Sequence, residues 1–223
     1  MKVSVVIPTW NEAGNIAECV RSALQCGVWE VIVSDGGSQD DTLAVVSSLQ
    51  ESRVKLLRSD PGRGVQLRTG ANHATGEMLL FLHADNRLPS DALEQLAGAG
   101  WPKWGGYRQR IDAKGIRFRL LEWGNAYRGR SRSNLFGDQA IFVQRGLYEA
   151  VGGFAPVSLM EDVMLSAELR KHSPATLLPG PVSVDARRWK QRGVVRQTLL
   201  NWRIQRAFAM GATPDELRQI YDG

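Results

Sequence analysis

Cysteine is scarce in this sequence, with two residues in 223, and this excludes a small fold held together by disulfides. Cys19 and Cys26 lie in a segment with helical periodicity, where two turns separate them by about 10 Å. A disulfide does not span that distance without unwinding the helix. We therefore predict two free structural thiols, as is usual for a cytoplasmic protein.

Long apolar runs are also missing. No stretch approaches the roughly 20 apolar residues that a membrane-spanning helix needs. The N-terminus has a short apolar run at residues 3–7 and then Pro8, without the charged, apolar and cleavage regions of a secretory signal. We expect a cytoplasmic protein. The apolar fraction of 43% and the charged fraction of 23% are ordinary for a globular chain and exclude a disordered one.

Acidic residues do not balance the basic ones, since the formal net charge is +5. The surplus is concentrated at residues 103–132 and 187–206. Such segments favour an anionic partner, which includes a phosphate-bearing ligand, a lipid headgroup or a nucleic acid. A solvated basic face is the alternative interpretation.

The first half of the chain alternates between strand and helix signals. Apolar, β-branched runs predict strands at residues 3–7, 31–33, 54–57 and 78–82, and helical spacing predicts helices at 15–25, 40–49, 64–74 and 89–96. This alternation with short loops is typical of an α/β fold that has a mostly parallel, Rossmann-like sheet with helices on both faces. At this length we predict one domain, residues 1–223.

The second half is less regular. We predict a loop or hairpin at residues 101–115, a strand at 140–143, a turn at 152–154, a helix at 164–171 and an amphipathic helical tail at 194–210. The amphipathic pattern of the tail fits a helix packed on its own domain, and it also permits peripheral contact with a membrane.

Polar and acidic residues follow the predicted strands. They are Thr9-Trp10-Asn11-Glu12, Asp35-Gly36-Gly37 and His83-Ala84-Asp85. Ligands of open parallel sheets bind at the carboxyl ends of the strands. We therefore expect these three segments to converge on one edge and form a binding site.

These same segments resemble the family 2 glycosyltransferases, which have the GT-A fold. The resemblance rests on the run from Val5 to Glu12, on residues 30–40, on Phe81 to Asp85, on Gly137-Asp138-Gln139 and on Glu161-Asp162. Each motif is weak alone, but their order and spacing are specific over residues 3–170. His83-Ala84-Asp85 and residues 186–189 look most like a small bacterial subgroup linked by name to arsenosugar biosynthesis.

The resemblance implies transfer of a sugar from a UDP- or GDP-sugar to a hydroxyl acceptor, with inversion. It divides the chain into a donor half (1–98), an acceptor and catalytic half (99–185) and a basic helical tail (186–223). The implied donor-binding residues are Pro8, Thr9, Asn11, Glu12, Asp35, Arg63, Ala84, Asp85, Arg188 and Trp189. Helix capping by Asn11 or Glu12 and a turn carboxylate at Asp35 are the structural alternatives.

His83-Ala84-Asp85 stands where the family has its Asp-x-Asp metal motif. The resemblance makes Asp85 the expected ligand of Mn²⁺ or Mg²⁺, with His83 as a second ligand or as a group that bonds phosphate or ribose. A divalent cation stabilises the charge that develops on a diphosphate leaving group. Such cations often need only one or two carboxylates in addition to phosphate oxygens and water.

The Glu161-Asp162 pair resembles the Glu-Asp element that supplies the catalytic base in inverting members of the family. Asp162 is the candidate base and Glu161 its support, because inversion needs one carboxylate within reach of the acceptor hydroxyl. The structural alternative is an acidic pair that interacts with a helix N-terminus. In the tail, a lid over the diphosphate would comprise Arg187, Arg188, Trp189, Lys190 and Arg192.

Two other function classes fit parts of the sequence. A nucleotidyltransferase shares the layered architecture, but it is expected to carry a glycine-rich phosphate loop with a lysine after the first strand, where this chain has residues 8–12. A basic nucleic-acid-binding domain explains the charge but not the acids at the strand ends. We therefore expect a nucleoside-diphosphate sugar and no nucleic acid as partner.

Overall fold

The computed structural model describes residues 1–157 and 159–222, and the side chains of Arg188, Gln191, Arg192, Asp215, Arg218 and Asp222 lie outside that description. The strands are β1 (Val3–Thr9), β2 (Glu30–Asp35), β3 (Val54–Arg58), β4 (Met78–Phe81), β5 (Asn86–Arg87), β6 (Trp104–Ile111), β7 (Phe142–Gln144) and β8 (Thr176–Val184). The helices are α1 (Ile16–Gln25), α2 (Thr42–Ser48), α3 (Arg63–His73), α4 (Ala92–Gly98), α5 (Ile116–Arg132), α6 (Arg145–Ala150), α7 (Glu161–Leu169), α8 (Arg187–Arg192), α9 (Val194–Ala209) and α10 (Pro214–Asp222).

One sheet joins both halves of the chain in the order β3-β2-β1-β4-β7-β6-β8-β5. The strands β3, β2, β1 and β4 are mutually parallel, as predicted. The other half is mixed, because β7 is antiparallel to both β4 and β6, β8 is parallel to β6, and β5 is antiparallel to β8. The prediction of a mostly parallel sheet therefore holds for the first half only. Strand direction depends on how a connection returns to the sheet, and an apolar run does not encode that.

Both faces of the sheet are buried, which explains why β1 is apolar at successive positions. Val5 and Ile7 point into a cluster with helices α1, α2 and α4, whereas Val6 points into a cluster with α3, α6 and α7. Successive side chains of a strand point to opposite faces. A strand covered on both sides is therefore mainly apolar, and a polar residue such as Ser4 needs a buried hydrogen-bond partner.

Register brings the carboxyl ends of the first strands together. Thr9 at the end of β1 pairs with Asp35 at the end of β2, and Val6 pairs with Phe81 at the end of β4. The segments that follow these strands therefore leave the sheet at the same edge, as the sequence predicts.

The prediction of a loop or hairpin at residues 101–115 was wrong. This segment contains β6, which pairs with both β7 and β8. A Cβ atom at Gly105 would lie 1.9 Å from the carbonyl oxygen of Thr176, so the glycine allows close approach of the neighbouring strand. The helix α5 that follows was not predicted.

The predicted tail helix and free thiols are confirmed. Helix α9 spans Val194–Ala209, and Ile204 on its inner side is buried beside Leu217 and Met160. Both cysteines are free, and burial raises the pKa of each thiol. Within the described residues, no helix is both long and apolar enough to span a membrane.

Helix α3 can approach the sheet closely because residue 70 has no side chain. A Cβ at Gly70 would lie 2.4 Å from Cγ1 of Val6. We expect Gly70→Ala to lower the free energy of unfolding by about 1–3 kcal/mol, because the added methyl would overlap the fully buried Val6 side chain. Urea unfolding measures this change. Gly124 in α5 has open space around its Cα, so Gly124→Ala is the matched control and should stabilise by about 0.5–1 kcal/mol. Equal effects of the two variants would contradict the packing argument.

The buried Glu30 carboxylate links β2 to three neighbouring segments. It accepts hydrogen bonds from the Ser4 hydroxyl (2.7 Å), the Thr75 backbone amide (2.6 Å) and Lys55 Nζ (2.7 Å). Burial alone would raise its pKa, but the hydrogen bonds from Lys55, Ser4 and Thr75 outweigh burial and lower the pKa from 4.5 to about 2.

A carboxyl whose pKa is lower in the folded state stabilises the fold above its unfolded pKa. We expect the free energy of unfolding to fall as the pH decreases from about 4.5 towards 2, and Glu30→Gln to remove this component. Urea titrations across that range test the prediction. The exposed Asp41→Asn is the control, and an identical pH dependence of the Glu30→Gln variant and the unaltered chain would refute it.

Candidate functional site

Two clefts open where the parallel strands end. The first, which we call the strand-end cleft, has a volume of about 350 Å³, and the second, the tail cleft, has about 470 Å³. Both are lined by Trp10, Arg63, His83 and Asp85. The two clefts are therefore neighbours that share one wall.

The strand-end cleft contains most of the residues that the sequence singled out for donor binding. Those that line it are Pro8, Thr9, Glu12, Arg63, Ala84 and Asp85, together with His83. All of them except Arg63 lie at the end of a parallel strand or in the segment that follows one, and the sheet therefore places them at the same edge. Arg63 is the first residue of helix α3. The expected convergence at one edge is thus present.

Gln66 fixes the ends of two strands, and sequence reasoning missed it. Its buried Nε2 donates to the carbonyl oxygens of Thr9 (2.6 Å) and Ser34 (3.1 Å). A Cβ at Gly36 would come within 2.9 Å of the Gln66 amide. A single glutamine within a helix gives no signal, because its partners are backbone atoms far away in sequence.

Asn11 and Asp35 are engaged within the loops. The Asn11 amide oxygen accepts from Gln39 N (2.8 Å), and Asp35 Oδ2 accepts from Gly37 N (2.9 Å) and Ser38 N (3.0 Å). In the described chain neither side chain lines the two clefts. Asp35 therefore has the turn role that was its structural alternative, and donor contact by these two residues stays a prediction.

The basic tail contacts the acids of the strand-end cleft. Arg187 Nη2 donates to Glu12 Oε1 (2.8 Å) and lies 3.7 Å from Asp85 Oδ2. Asn15 Nδ2 donates to the other Glu12 oxygen at 2.7 Å. The hydrogen bond with Glu12 raises the pKa of Arg187. The first turn of α8 is thus fastened to the segments that follow β1 and β4.

The described residues include only part of the rest of the predicted lid. Trp189 lines the tail cleft, and it does not line the strand-end cleft in the described chain. The side chains of Arg188 and Arg192 lie outside the described residues. Donor contact by Arg188 and Trp189 therefore stays a prediction.

Glu161 is a buried partner of Arg63. Arg63 Nε donates to Glu161 Oε1, and the Glu161 side chain has 0% exposure. Burial raises the pKa of Glu161, the proximity of Asp162 adds to this, and the attraction of Arg63 opposes it. The second oxygen, Oε2, has no hydrogen-bond partner among the described residues. Glu161 holds Arg63 in the wall of both clefts.

Asp162 lies in the tail cleft beside His83. Its Oδ2 accepts from the backbone amide of Gly137 at 2.7 Å and its Oδ1 from that of Val163 at 2.8 Å. A Cβ at Gly137 would lie 2.4 Å from His83 Nε2 and 3.3 Å from Asp162 Oδ2. Gly137 is therefore the point at which the segment after β4 and the start of α7 meet.

The described residues contain no group of three or more His, Cys, Asp or Glu side chains that could hold a metal ion by themselves. His83 and Asp85 are the predicted ligands, and both line both clefts. One carboxylate and one imidazole suit a cation that takes its remaining ligands from phosphate and water. The residues present fit Mn²⁺ or Mg²⁺ that is held jointly with a diphosphate.

Several other residues of the tail cleft were not among the predicted site residues. They are Asp138, Asp185, Gln197, Asn201 and Tyr221. Only Asp138 belongs to a motif that the resemblance used. The others come from the residue that follows β8 and from helices α9 and α10, whose packing the local sequence does not specify.

Known proteins are similar to this chain in both sequence and structure. A family model described as Glycosyl transferase family 2 matches residues 4–99. The PGL/p-HBAD biosynthesis glycosyltransferase of Mycobacterium tuberculosis is 34% identical over 164 residues, or 68% of this chain and 62% of that protein. This chain therefore spans less than two thirds of that relative. This relative gives no support for a link to arsenosugar biosynthesis, and membership of that subgroup stays a prediction.

Two solved structures share the fold. The mannosyltransferase PcManGT of Pyrobaculum calidifontis, in complex with GDP-Man and Mn²⁺, superposes with a TM-score of 0.65 and 25% identity, covering 98% of this chain and 67% of that one. The S. aureus TarS 1-349 complex with UDP-GlcNAc has a TM-score of 0.67 and 19% identity, covering 83% and 58%. The sheet order, the positions of the sequence motifs and these similarities together show that the chain belongs to the family 2 glycosyltransferases and has the GT-A fold.

Proposed function

We propose that this protein transfers a sugar from a UDP- or GDP-sugar to a hydroxyl acceptor, with inversion at the sugar carbon. The observation that carries the proposal is the shared wall of the two clefts, where Arg63, His83 and Asp85 lie between the strand-end cleft and the cleft that contains Asp162. A donor on one side and an acceptor on the other would place the reacting atoms at this wall.

The strand-end cleft is the proposed donor site, formed by the donor half, residues 1–98. Its volume of about 350 Å³ falls within the usual range of small-molecule sites. Glu12 can accept ribose hydroxyls, and Arg63 offers a cation to the diphosphate. The complex of PcManGT with GDP-Man and Mn²⁺ supports a nucleotide-sugar donor and a divalent metal.

His83 and Asp85 are the residues that would hold the metal. When bound, the cation neutralises the charge that develops on the diphosphate as the bond to the sugar breaks. Arg187, which lies 3.7 Å from Asp85, belongs to the tail (residues 186–223) and adds a positive charge at the same place. Electrostatic stabilisation of the leaving group is thus the main contribution of this wall.

The tail cleft is the proposed acceptor site, formed mainly by residues 99–185 and the tail. The acceptor oxygen forms a bond to the sugar carbon, the bond from that carbon to the diphosphate oxygen breaks, and the acceptor proton moves to Asp162. The hydrogen bonds from Gly137 N and Val163 N orient this carboxylate. Glu161 acts by holding Arg63, since its own carboxylate is fully buried.

Asp162→Asn should lower the rate of transfer by about 100- to 10,000-fold, the usual contribution of a general base. The affinity for the donor should not change, because the side chain retains its shape and an acceptor oxygen for Gly137 N. The measurement is release of nucleoside diphosphate in the presence of a hydroxyl acceptor, together with titration of the donor. Asp138→Asn is the matched control in the same cleft. Turnover that is retained in Asp162→Asn, or that is lost in Asp138→Asn alone, would refute the assignment of Asp162 as the base.

Asp85→Asn should remove the part of nucleotide binding that depends on metal. For the unaltered chain, UDP or GDP with Mn²⁺ at 100 times Kd should stabilise the fold by about 2.7 kcal/mol, or roughly 5–10 °C in Tm for a chain of this size. A thermal-shift series with each nucleotide, with and without Mn²⁺, measures this effect and the base preference. The exposed Asp41→Asn is the control. An undiminished Mn²⁺ effect in Asp85→Asn would show that the metal is held elsewhere.

A further inference from the structure

Helix α5 is anchored to the rest of the protein by a few polar side chains on its inner side. Arg119 Nη2 donates to the carbonyl oxygens of Ile111 and Ala113, both at 2.9 Å, and Glu122 Oε1 accepts from Ile111 N at 2.6 Å. Nearly two turns after Glu122, Arg128 Nε donates to the carbonyl oxygen of Asn134 at 3.2 Å. The helix is therefore anchored to β6 and to the following loop largely by hydrogen bonds.

The outer side of the same helix is apolar. Ile116, Leu120, Trp123 and Tyr127 are 71%, 61%, 67% and 61% exposed. Their spacing of four, three and four residues places them in one stripe along the helix. Trp123 and Tyr127 stack with ring centroids 5.9 Å apart. This arrangement reverses the usual one for a surface helix, whose apolar face covers the core.

Basic residues lie at both ends of the helix that carries this stripe. Lys114, Arg117, Arg130 and Arg132 are exposed at or beside the two ends of α5. Asp112, an exposed acid just before the helix, is paired with Arg87 at 3.2 Å. The surface that carries the apolar stripe is therefore positively charged.

We propose that the outer face of α5 docks on an anionic lipid surface. The combination of Trp and Tyr with aliphatic residues is favoured at the boundary between headgroups and acyl chains. Arginine and lysine stems can lie along the apolar boundary while their charges reach lipid phosphates. The docking does not depend on the proposed sugar transfer, because none of the four stripe residues lines either cleft among the described residues.

A second copy of the chain fits this face less well. Pairing two such helices would bring two clusters of positive charge together, which opposes association. The stripe also offers four large side chains, whereas a stable interface uses roughly 20–30 residues a side. An anionic membrane would both bury the apolar stripe and attract the basic residues.

Helix α9 carries a shorter stripe of the same kind. Val195, Leu199 and Trp202 are 59%, 57% and 66% exposed, and Arg196 and Arg203 are exposed beside them. The tail was the segment for which the sequence alone permitted membrane contact. It therefore serves as the competing surface in the test.

The test is sedimentation of the full chain with vesicles of phosphatidylcholine alone and of phosphatidylcholine with about one third phosphatidylglycerol. We expect binding to the anionic vesicles, with partitioning lowered at least about tenfold by Leu120→Ser/Trp123→Ser, which removes the centre of the stripe. Arg117→Gln/Arg130→Gln should lower it about tenfold or more. The charge-matched control is Arg21→Gln/Arg58→Gln, two exposed arginines on α1 and β3, which should have a smaller effect. Circular dichroism confirms that each variant is folded.

Three outcomes would overturn the proposal. The first is equal binding to neutral and anionic vesicles, or no binding to either. The second is loss of binding in Val195→Ser/Leu199→Ser while Leu120→Ser/Trp123→Ser binds normally, which would assign docking to α9. The third is a dimer in sedimentation velocity that Leu120→Ser/Trp123→Ser abolishes while vesicle binding is unchanged, which would make a second copy the occupant.

Discussion

The register of the parallel strands is the constraint on which the site depends. Thr9 is paired with Asp35, and Val6 with Phe81, so the segments after β1, β2 and β4 must leave the sheet side by side. Helices cover both faces of these strands, and a slip of the register by one residue would turn every side chain to the opposite face. Burial of the core therefore also holds the polar segments at the edge in place.

Acids gathered in partly buried clefts repel one another unless cations compensate them. In this protein the compensation comes from distant parts of the chain. Arg63, at the start of α3, pairs with Glu161, and Arg187, at the start of α8, pairs with Glu12. These two arginines connect the donor half to the second half and to the tail. The same charges that stabilise the clefts are therefore available to a phosphorylated ligand.

The two clefts and helix α5 use opposite arrangements of polarity. In the clefts, charged groups lie on the inner walls and are held by backbone amides, as Asp162 is by Gly137 N. In α5, hydrogen bonds anchor the inner side and apolar side chains face outward. A surface helix of this kind leaves apolar area unburied within the chain itself, and contact with a lipid surface would bury it.

Several features were predictable from local sequence. The apolar run at residues 3–7 predicts a buried strand, because a strand that is covered on both faces is apolar at successive positions. The order of the motifs from Pro8 to Asp162 indicates the family. The helical spacing of residues 194–210 predicts α9. In contrast, the glycines at 105 and 106 obscured β6, because a glycine that permits close strand packing has the same sequence appearance as a turn glycine.

The sequence by itself determined the parallel half of the sheet, the chemical character of the strand ends and the family. These follow from periodicity and residue type, which act over a few neighbouring positions. Only the tertiary structure decided that β7 returns antiparallel, that Gln66 and Gly137 bring the strand ends and α7 together, and that Arg187 reaches Glu12. Each of these depends on contacts between residues far apart in the chain, and hydrogen bonds and close packing of that kind leave no local pattern.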